Sequence, residues 1–441
     1  MSRFRLWFIG VLGLLALLVL AGVLAGLFGG LAGPAPAQTI TSTRLAGAAT
    51  ATPPPYPPPR TPPLVPTAIP PSATATPVPQ VTVVPGPLPP GLKIVCAEEW
   101  VDERLIVIWM ANVDDLAHVQ IIARLPSRVP MSSLGGYISP DGRQLAYILP
   151  GKHIELGILG IMNIDGTDNR ILDTSVLGWG TEMNVIWSPD SQWIVYQQHI
   201  PLQGKGSAET KTWLIHPDGT EKRLIPTAPS IDPWLVGWSR DSTQIYYNTG
   251  KELWSVNVEG ESQPVERIRF DPPAYMVRLS PDGQKILYLA QETRPGAPLT
   301  LGVMSLDGKE KHIVVENVNP DLFAFENYQL HPIWSPDSTR VLYNAMVNSR
   351  HVEVVIVPWN APKNATVVRH REEIYYYPIS WSPDGKFIVA SRYPLGTDPF
   401  REFHRALIGL DGNVQRIYSI RPDSLLPGFV GWLGGQEGGR P

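Results

Sequence analysis

The chain has 441 residues, 43% of them hydrophobic and 17% charged, with a formal net charge of -4. No run of Lys or Arg offers a track for phosphates, which argues against nucleic acid as a partner. The single cysteine, Cys96, excludes an intramolecular disulfide and a cysteine zinc cluster, and reads as a small buried apolar side chain.

Residues 6–32 carry no charge. About 20 such residues in a helix already cross a hydrocarbon core of about 30 Å. Arg3 and Arg5 precede the run and no basic residue follows until Arg44. The positive-inside rule therefore predicts a single-pass anchor over residues 1–32, with a cytoplasmic N-terminus and the rest of the chain extracytoplasmic. The alternative is a cleaved signal peptide and a secreted product, with Ala35, Pro36 and Ala37 as the cleavage site. The apolar run is long for that role, and Pro36 fits it poorly. No cysteine directly follows the run to carry a lipid.

Residues 33–91 hold 19 prolines among Thr, Ala and Val. Missing N–H groups and fixed φ angles exclude helix and sheet there, and predict a disordered or polyproline-II linker with a reach on the order of 150 Å. Its simplest role is a spacer.

Past residue 91 one short turn recurs. "ISPDG", "WSPDS", "WSRDS", "LSPDG", "WSPDS" and "WSPDG" place serines at 139, 188, 239, 280, 335 and 382, at intervals of 49, 51, 41, 55 and 47 residues. Asp141, Asp190, Asp241, Asp282, Asp337 and Asp384 follow two places later. Tyr147, Tyr196, Tyr247, Tyr288 and Tyr343 follow eight places later, and Ala390 breaks that series. Before the serines stand Ile138, Trp187, Trp238, Leu279, Trp334 and Trp381. Pro presets φ for a type I turn, and Asp can accept nearby backbone N–H groups. Gly142, Gly283 and Gly385 permit positive φ on re-entry, whereas Ser191, Ser242 and Ser338 imply local strain or a variant turn. Apolar runs of strand length follow each turn.

A second turn lies about 25 residues further on in five copies, ending in Gly166, Gly219, Gly260, Gly308 and Gly412, with "WNA" at 359–361 in the fifth copy. Each copy thus reads as four strands joined by hairpins, and such sheets at this period build a β-propeller. The Trp and Tyr positions are expected to pack between blades.

These copies resemble the WD40-like PD40 repeats of TolB-type propellers, a type also seen in the propeller domains of prolyl-oligopeptidase-like enzymes. The likeness covers residues 92–435. It implies an all-β propeller that acts as a docking platform, but propellers host many unrelated functions. Trp432 falls 51 residues after Trp381, and "GFVGWLGG" at 428–435 supplies one strand of a further blade. Three strands at 92–99, 104–112 and 118–125 have no innermost partner, so a composite seventh blade is expected to close the ring, with six or eight blades as alternatives. The domain reading is anchor 1–32, linker 33–91, propeller 92–436 and tail 437–441.

Both tight turns of every blade lie on one face, and the longer, varied connections lie on the other. Function concentrates in loops held by rigid scaffolds, so the loop face is the expected working surface. Arg371, Glu372, Tyr375, Tyr376 and Tyr377, together with Tyr328, His331 and Arg401, are the candidate binding residues, because Tyr and Arg are favoured anchors. The expected ligand is a protein, peptide or glycan, and no cofactor or metal is expected. A catalytic propeller (a metal-dependent lyase, or the accessory domain of a hydrolase) and a sensory ectodomain are the alternatives. Against a hydrolase, the chain has no G-x-S-x-G elbow. Against a metal centre, His153, His199, His351 and His404 belong to different blades, and only His331 is expected near the axis.

Overall fold

The computed structural model describes residues 82–84, 87–127, 135–150, 156–177, 185–201, 208–227, 233–260, 262–291, 299–318, 332–348, 351–369, 374–394, 404–421 and 428–434. The expected anchor lies outside the described residues. Among the described residues, no helix is long and apolar enough to cross a membrane.

Seven antiparallel sheets follow one another around a ring. Strands are called a to d from the centre outwards. Blade 2 runs Gly135–Ile138, Gln144–Pro150, Leu156–Asn163 and Arg170–Leu177. Blade 3 runs Val185–Trp187, Ile194–Pro201, Ala208–Ile215 and Arg223–Ile225. Blade 4 runs Trp234–Trp238, Gln244–Asn248, Glu252–Asn257 and Val265–Arg269. Blade 5 runs Ala274–Leu279, Lys285–Gln291, Leu299–Ser305 and Lys311–Val318. Blade 6 runs Ile333–Trp334, Arg340–Asn348, His351–Pro358 and Thr366–Arg369. Blade 7 runs Ile374–Trp381, Phe387–Pro394, His404–Gly409 and Val414–Ile417.

Blade 1 is the composite. Its strands b to d are Lys93–Trp100, Leu105–Asn112 and Asp115–Pro126, and its strand a is Gly428–Leu433 from the other end of the chain. The two ends pair antiparallel, with Lys93 opposite Leu433 and Ala97 opposite Gly428. The expected seven-blade closure is therefore realised, and six or eight blades are not. Blade 1 also gains an outer strand from the proline-rich stretch. Thr82 and Val83 pair in parallel with His118 and Val119, two residues in a short interval free of proline.

Among the described residues there is no single core. The buried apolar residues form seven clusters, each made by the facing sides of two neighbouring blades. The cluster between blades 7 and 1, for example, joins Ile94, Cys96 and Trp109 to Val389, Leu407 and Ile417. Cys96 is fully buried there, and burial pushes its thiol pKa upwards.

Polar stitches run between blades at three levels. Three of the repeated Trp side chains, Trp187, Trp238 and Trp334, reach back to the preceding innermost strand. The indole N–H groups of Trp187 and Trp238 donate to the carbonyls of Tyr137 and Ile186, at 2.9 and 3.3 Å. Trp432 does the same in the composite blade, donating to Ser380 Oγ at 3.1 Å. On the loop side, buried amides reach forward. Gln197, Asn248 and Asn344 donate to the carbonyls of Pro233, Ala274 and Tyr376 in the next blade, at 2.7 to 2.9 Å.

On the turn side, the three serines that stand in the glycine place adopt φ of 61°, 62° and 59°. Their hydroxyls accept the backbone N–H of the turn Asp in the preceding blade: Ser191 from Asp141, Ser242 from Asp190 and Ser338 from Asp282. Left-handed backbone costs a non-glycine residue about 1 kcal/mol, and a hydrogen bond returns about the same. Ser191→Ala keeps the strain and loses the bond, so it should lower stability by about 1 kcal/mol. Ser191→Gly loses both and should be nearly neutral. Denaturant midpoints distinguish the two, and an Ala variant as stable as the parent would remove the stitch from the account.

Candidate functional site

The tight-turn face uses its polar groups internally. Each turn serine donates its hydroxyl to the turn carboxylate at 2.5 to 2.6 Å. The same hydroxyl accepts the N–H that starts strand b, as from Gln144 and Phe387 at 2.9 Å. Each carboxylate also accepts the N–H two residues ahead, as from Thr243 at 3.1 Å. The hydroxyls of Ser239 and Thr243 hold Asp241 below the usual carboxylate range. Turns whose donors and acceptors are consumed this way give six similar surfaces with little left for a ligand.

The loop face is different, and blade 7 supplies its best-defined edge. Tyr376 on strand a stands opposite Arg392 on strand b, and Arg392 stands opposite His404 on strand c. Arg416 on strand d pairs with Ala406, two residues along the same face of the sheet from His404. Tyr376, Arg392 and His404 thus form one row across the blade on the side facing blade 6, and Arg416 stands diagonally beside it, in the adjoining row of Ala390 and Ala406. Tyr376 is only 3% exposed and packs with Leu342, Val354, Ala390 and Ala406. Arg392, His404 and Arg416 are half-buried. Burial, then the charges of Arg416 and Arg392, lower the pKa of His404 from 6.5 to about 4. It is a neutral imidazole at pH 7.

The seam between blades 7 and 1 carries a second polar group of residues. Glu98, 2% exposed, accepts the Trp100 indole N–H at 2.6 Å and the backbone N–H of Ile420 at 2.9 Å. Burial raises its carboxyl pKa in spite of these donors. Arg421 stacks over Trp100 at 3.6 Å and pairs with Glu103 at 2.6 Å. This group ties the end of blade 7 to strand b of blade 1 just before the ring closes.

Of the sequence-derived candidates, Tyr375, Tyr376 and Tyr377 come together at the start of strand a in blade 7. Tyr375 and Tyr377 are half-buried and meet edge to face at 6.1 Å. Tyr376, expected to present its ring, is instead a core residue. A bulge between Pro378 and Ser380 switches the alternation of the strand and turns Tyr376 toward blade 6. Arg371, Glu372, Tyr328, His331 and Arg401 lie outside the described residues, as do His153 and the side chains of His199 and His351. His404 begins a third strand, as expected. Sequence reasoning missed Arg392 and Arg416. The signal available was Ala390, which interrupts the tyrosine series two residues before Arg392.

The sheet order and closure define a seven-bladed β-propeller with a composite blade. No protein-family model matches the chain, and no curated protein matches it in sequence. Solved structures of propellers are similar in fold. TolB from Acinetobacter baumannii shares 13% identity at a TM-score of 0.41, covering 61% of this chain and 62% of its own. This chain therefore matches less than two thirds of that TolB. An oligogalacturonate lyase in complex with manganese shares 12% identity at a TM-score of 0.50, covering 72% and 90%. The β-propeller domain of the Trilobed protease from Pyrococcus furiosus shares 12% identity at a TM-score of 0.48, covering 77% and 94%. At these identities the likeness concerns the fold alone.

Proposed function

We propose that this protein is a membrane-anchored, extracytoplasmic propeller of the PD40-repeat type that binds a protein, peptide or glycan on its loop face and performs no catalysis. The observation that carries the reading is the asymmetry of the two faces. One face repeats a turn whose hydroxyl and carboxylate bind each other, and the other brings Tyr, Arg and His side chains to the ends of rigid strands. Tyr375 and Tyr377 stand at the start of strand a of blade 7 on that second face, and we assign the sequence-derived candidates at 328–331, 371–373 and 401 to the same surface. The proline-rich segment spaces the platform from the anchor, and nucleic acid is not among its partners.

The test is site-specific photo-crosslinking in cells that make the full chain. A crosslinking residue at Tyr375 should form adducts with a partner, and one at Lys386, a 75% exposed side chain beside a tight turn, should form none. Once the partner is in hand, Arg371→Ala combined with Tyr375→Ala should weaken binding by about 30-fold, the scale of one interface anchor. Arg143→Ala with Lys386→Ala should leave it unchanged. Adducts from 386 and none from 375 would place binding on the tight-turn face and overturn the proposal.

A further inference from the structure

We propose that Arg392, His404 and Arg416 form a subsite for a single carboxylate, carried by an acidic side chain or the C-terminus of a peptide bound on the loop face. The inference rests on the loop-face reading above and names the chemistry of one part of that surface.

The geometry comes first. Arg392 and His404 are direct cross-strand partners, and Arg416 lies diagonally from His404 across the next pair. Direct partners hold their Cβ atoms about 5 Å apart, and diagonal neighbours stay within reach of long side chains. The charges of Arg416 and Arg392 both act on His404, so the three nitrogen-bearing groups are neighbours at the loop-side end of the seam between blades 6 and 7.

The floor of that spot explains why they fit. In blades 2 to 6 the position eight after the turn serine is Tyr, but here it is Ala390, opposite Ala406, and both are fully buried. Tyr376 joins this pair from strand a. Arg392 and His404 lie one step along their strands from this packed apolar pair, toward the loop side.

The charges then decide the ligand. Among the described residues, no carboxylate lies within ion-pair distance of Arg392. His404 is held neutral beside the two guanidinium groups, so it can donate one N–H without adding repulsion between cations. Two guanidinium forks and one imidazole suit a planar carboxylate, which accepts up to four hydrogen bonds. A track for a polyanion would need cations at regular intervals along a path, whereas this row is one blade wide.

The experiment titrates fluorophore-labelled tetraglutamate into the purified full chain at low salt, with tetraglutamine and a sulfated hexasaccharide as comparison probes. Saturable binding of tetraglutamate is expected, with none of tetraglutamine. Arg392→Gln and Arg416→Gln should each weaken it by about tenfold, the value of one charge-assisted hydrogen bond to an ion. Arg392→Lys keeps the charge without the fork and should fall between, which covers the case in which the Gln variant does not fold. No binding of tetraglutamate, or equal binding to Arg392→Gln and Arg416→Gln, overturns the subsite. So does a sulfated hexasaccharide that binds through Arg392 where tetraglutamate does not, since the row would then serve a glycan. Crosslinks from position 375 that persist beside such a failure would leave the loop-face platform standing. Loss of those crosslinks with tetraglutamate binding intact would fault the platform instead.

Discussion

Deleting residues 428–434 is expected to abolish the cooperative folded state of the propeller. These residues are the innermost strand of blade 1 and, among the described residues, the part of the chain's far end that joins that sheet. Their removal takes away Val430, 6% exposed, and the half-buried Phe429, Trp432 and Leu433, all of which pack into the clusters on either side of blade 1. At about 25 cal/mol per Å² of apolar surface, these side chains together are worth about 5 kcal/mol. That is the scale of a whole domain's stability. The deletion also breaks the indole bond from Trp432 to Ser380 and leaves the edge of Lys93–Ala97 unpaired beside buried Ile94 and Cys96. An unpaired apolar edge invites association between chains. Melting monitored by near-ultraviolet circular dichroism should lose its cooperative step, and an apolar dye should bind at room temperature. A truncated chain that melts like the parent would sink the composite closure.

The same geometry predicts a rescue. Gly434 and Gly91 are neighbours, since a Cβ on Gly434 would lie 2.7 Å from the Gly91 carbonyl oxygen. A permuted chain that runs 428–434, a short glycine turn and then 91–421 should close the same ring with its first blade in one hairpin series. It should recover the cooperative transition that the truncation loses. Strands a and b of blade 1 are therefore not sequential at the position where the other six blades have their Ser–Asp turn.

Much of this architecture is legible in the residues, and the reasons are specific. The Ser and Asp of each turn are tied to fixed distances along the chain because one hydroxyl must reach both a carboxylate two residues away and an N–H five residues away. Trp432 announces the closing strand because Trp187, Trp238 and Trp334 of its series perform the same reach into the preceding blade. The orientation of Tyr376 is not legible. Counting alternate residues back from Trp381 puts Tyr375 and Tyr377 in the core, and the bulge at 378–380 reverses that count. A bulge depends on the fit between two strands and leaves no reliable mark in either one. The paired strand at Thr82–Val83 is hidden for a different reason. Two β-branched residues among prolines gain a partner only through the exposed edge of Asp115–Pro126, which is distant in sequence. The basic row of blade 7 was hidden because its three members sit on separate strands, and register alone brings them together.

The tyrosine series also divides in a way that leads to the second large effect. In blades 2 and 5 the residue opposite the repeated Tyr is glycine: Gly160 faces Tyr147, and Gly302 faces Tyr288. In blades 3 and 4 it is Trp213 and Trp254. The phenol rings of Tyr147 and Tyr288 lie flat across the glycines, so a Cβ on Gly160 would come 2.5 Å from Tyr147 Cε2, and one on Gly302 would come 2.7 Å from Tyr288 Cε1. No real Cβ tolerates such a contact, and the ring has no free side to move to. Tyr147 is 3% exposed within the blade 1–2 cluster, and its hydroxyl is held by Asn169 at 2.5 Å. Gly160→Ala should therefore cost about 3 kcal/mol, the upper part of the range for overpacking a core, although alanine suits a strand better than glycine does. Gly302→Ala should cost about as much by the same mechanism. The decisive measurement is a double-mutant cycle on denaturant unfolding. Tyr147→Leu alone should destabilise by leaving space and an unpartnered Asn169. Tyr147→Leu together with Gly160→Ala should be more stable than the sum of the two costs by at least about 1 kcal/mol, because the methyl group enters room the ring has left. Strict additivity would mean that the glycine is there for its backbone and that the ring does not require it.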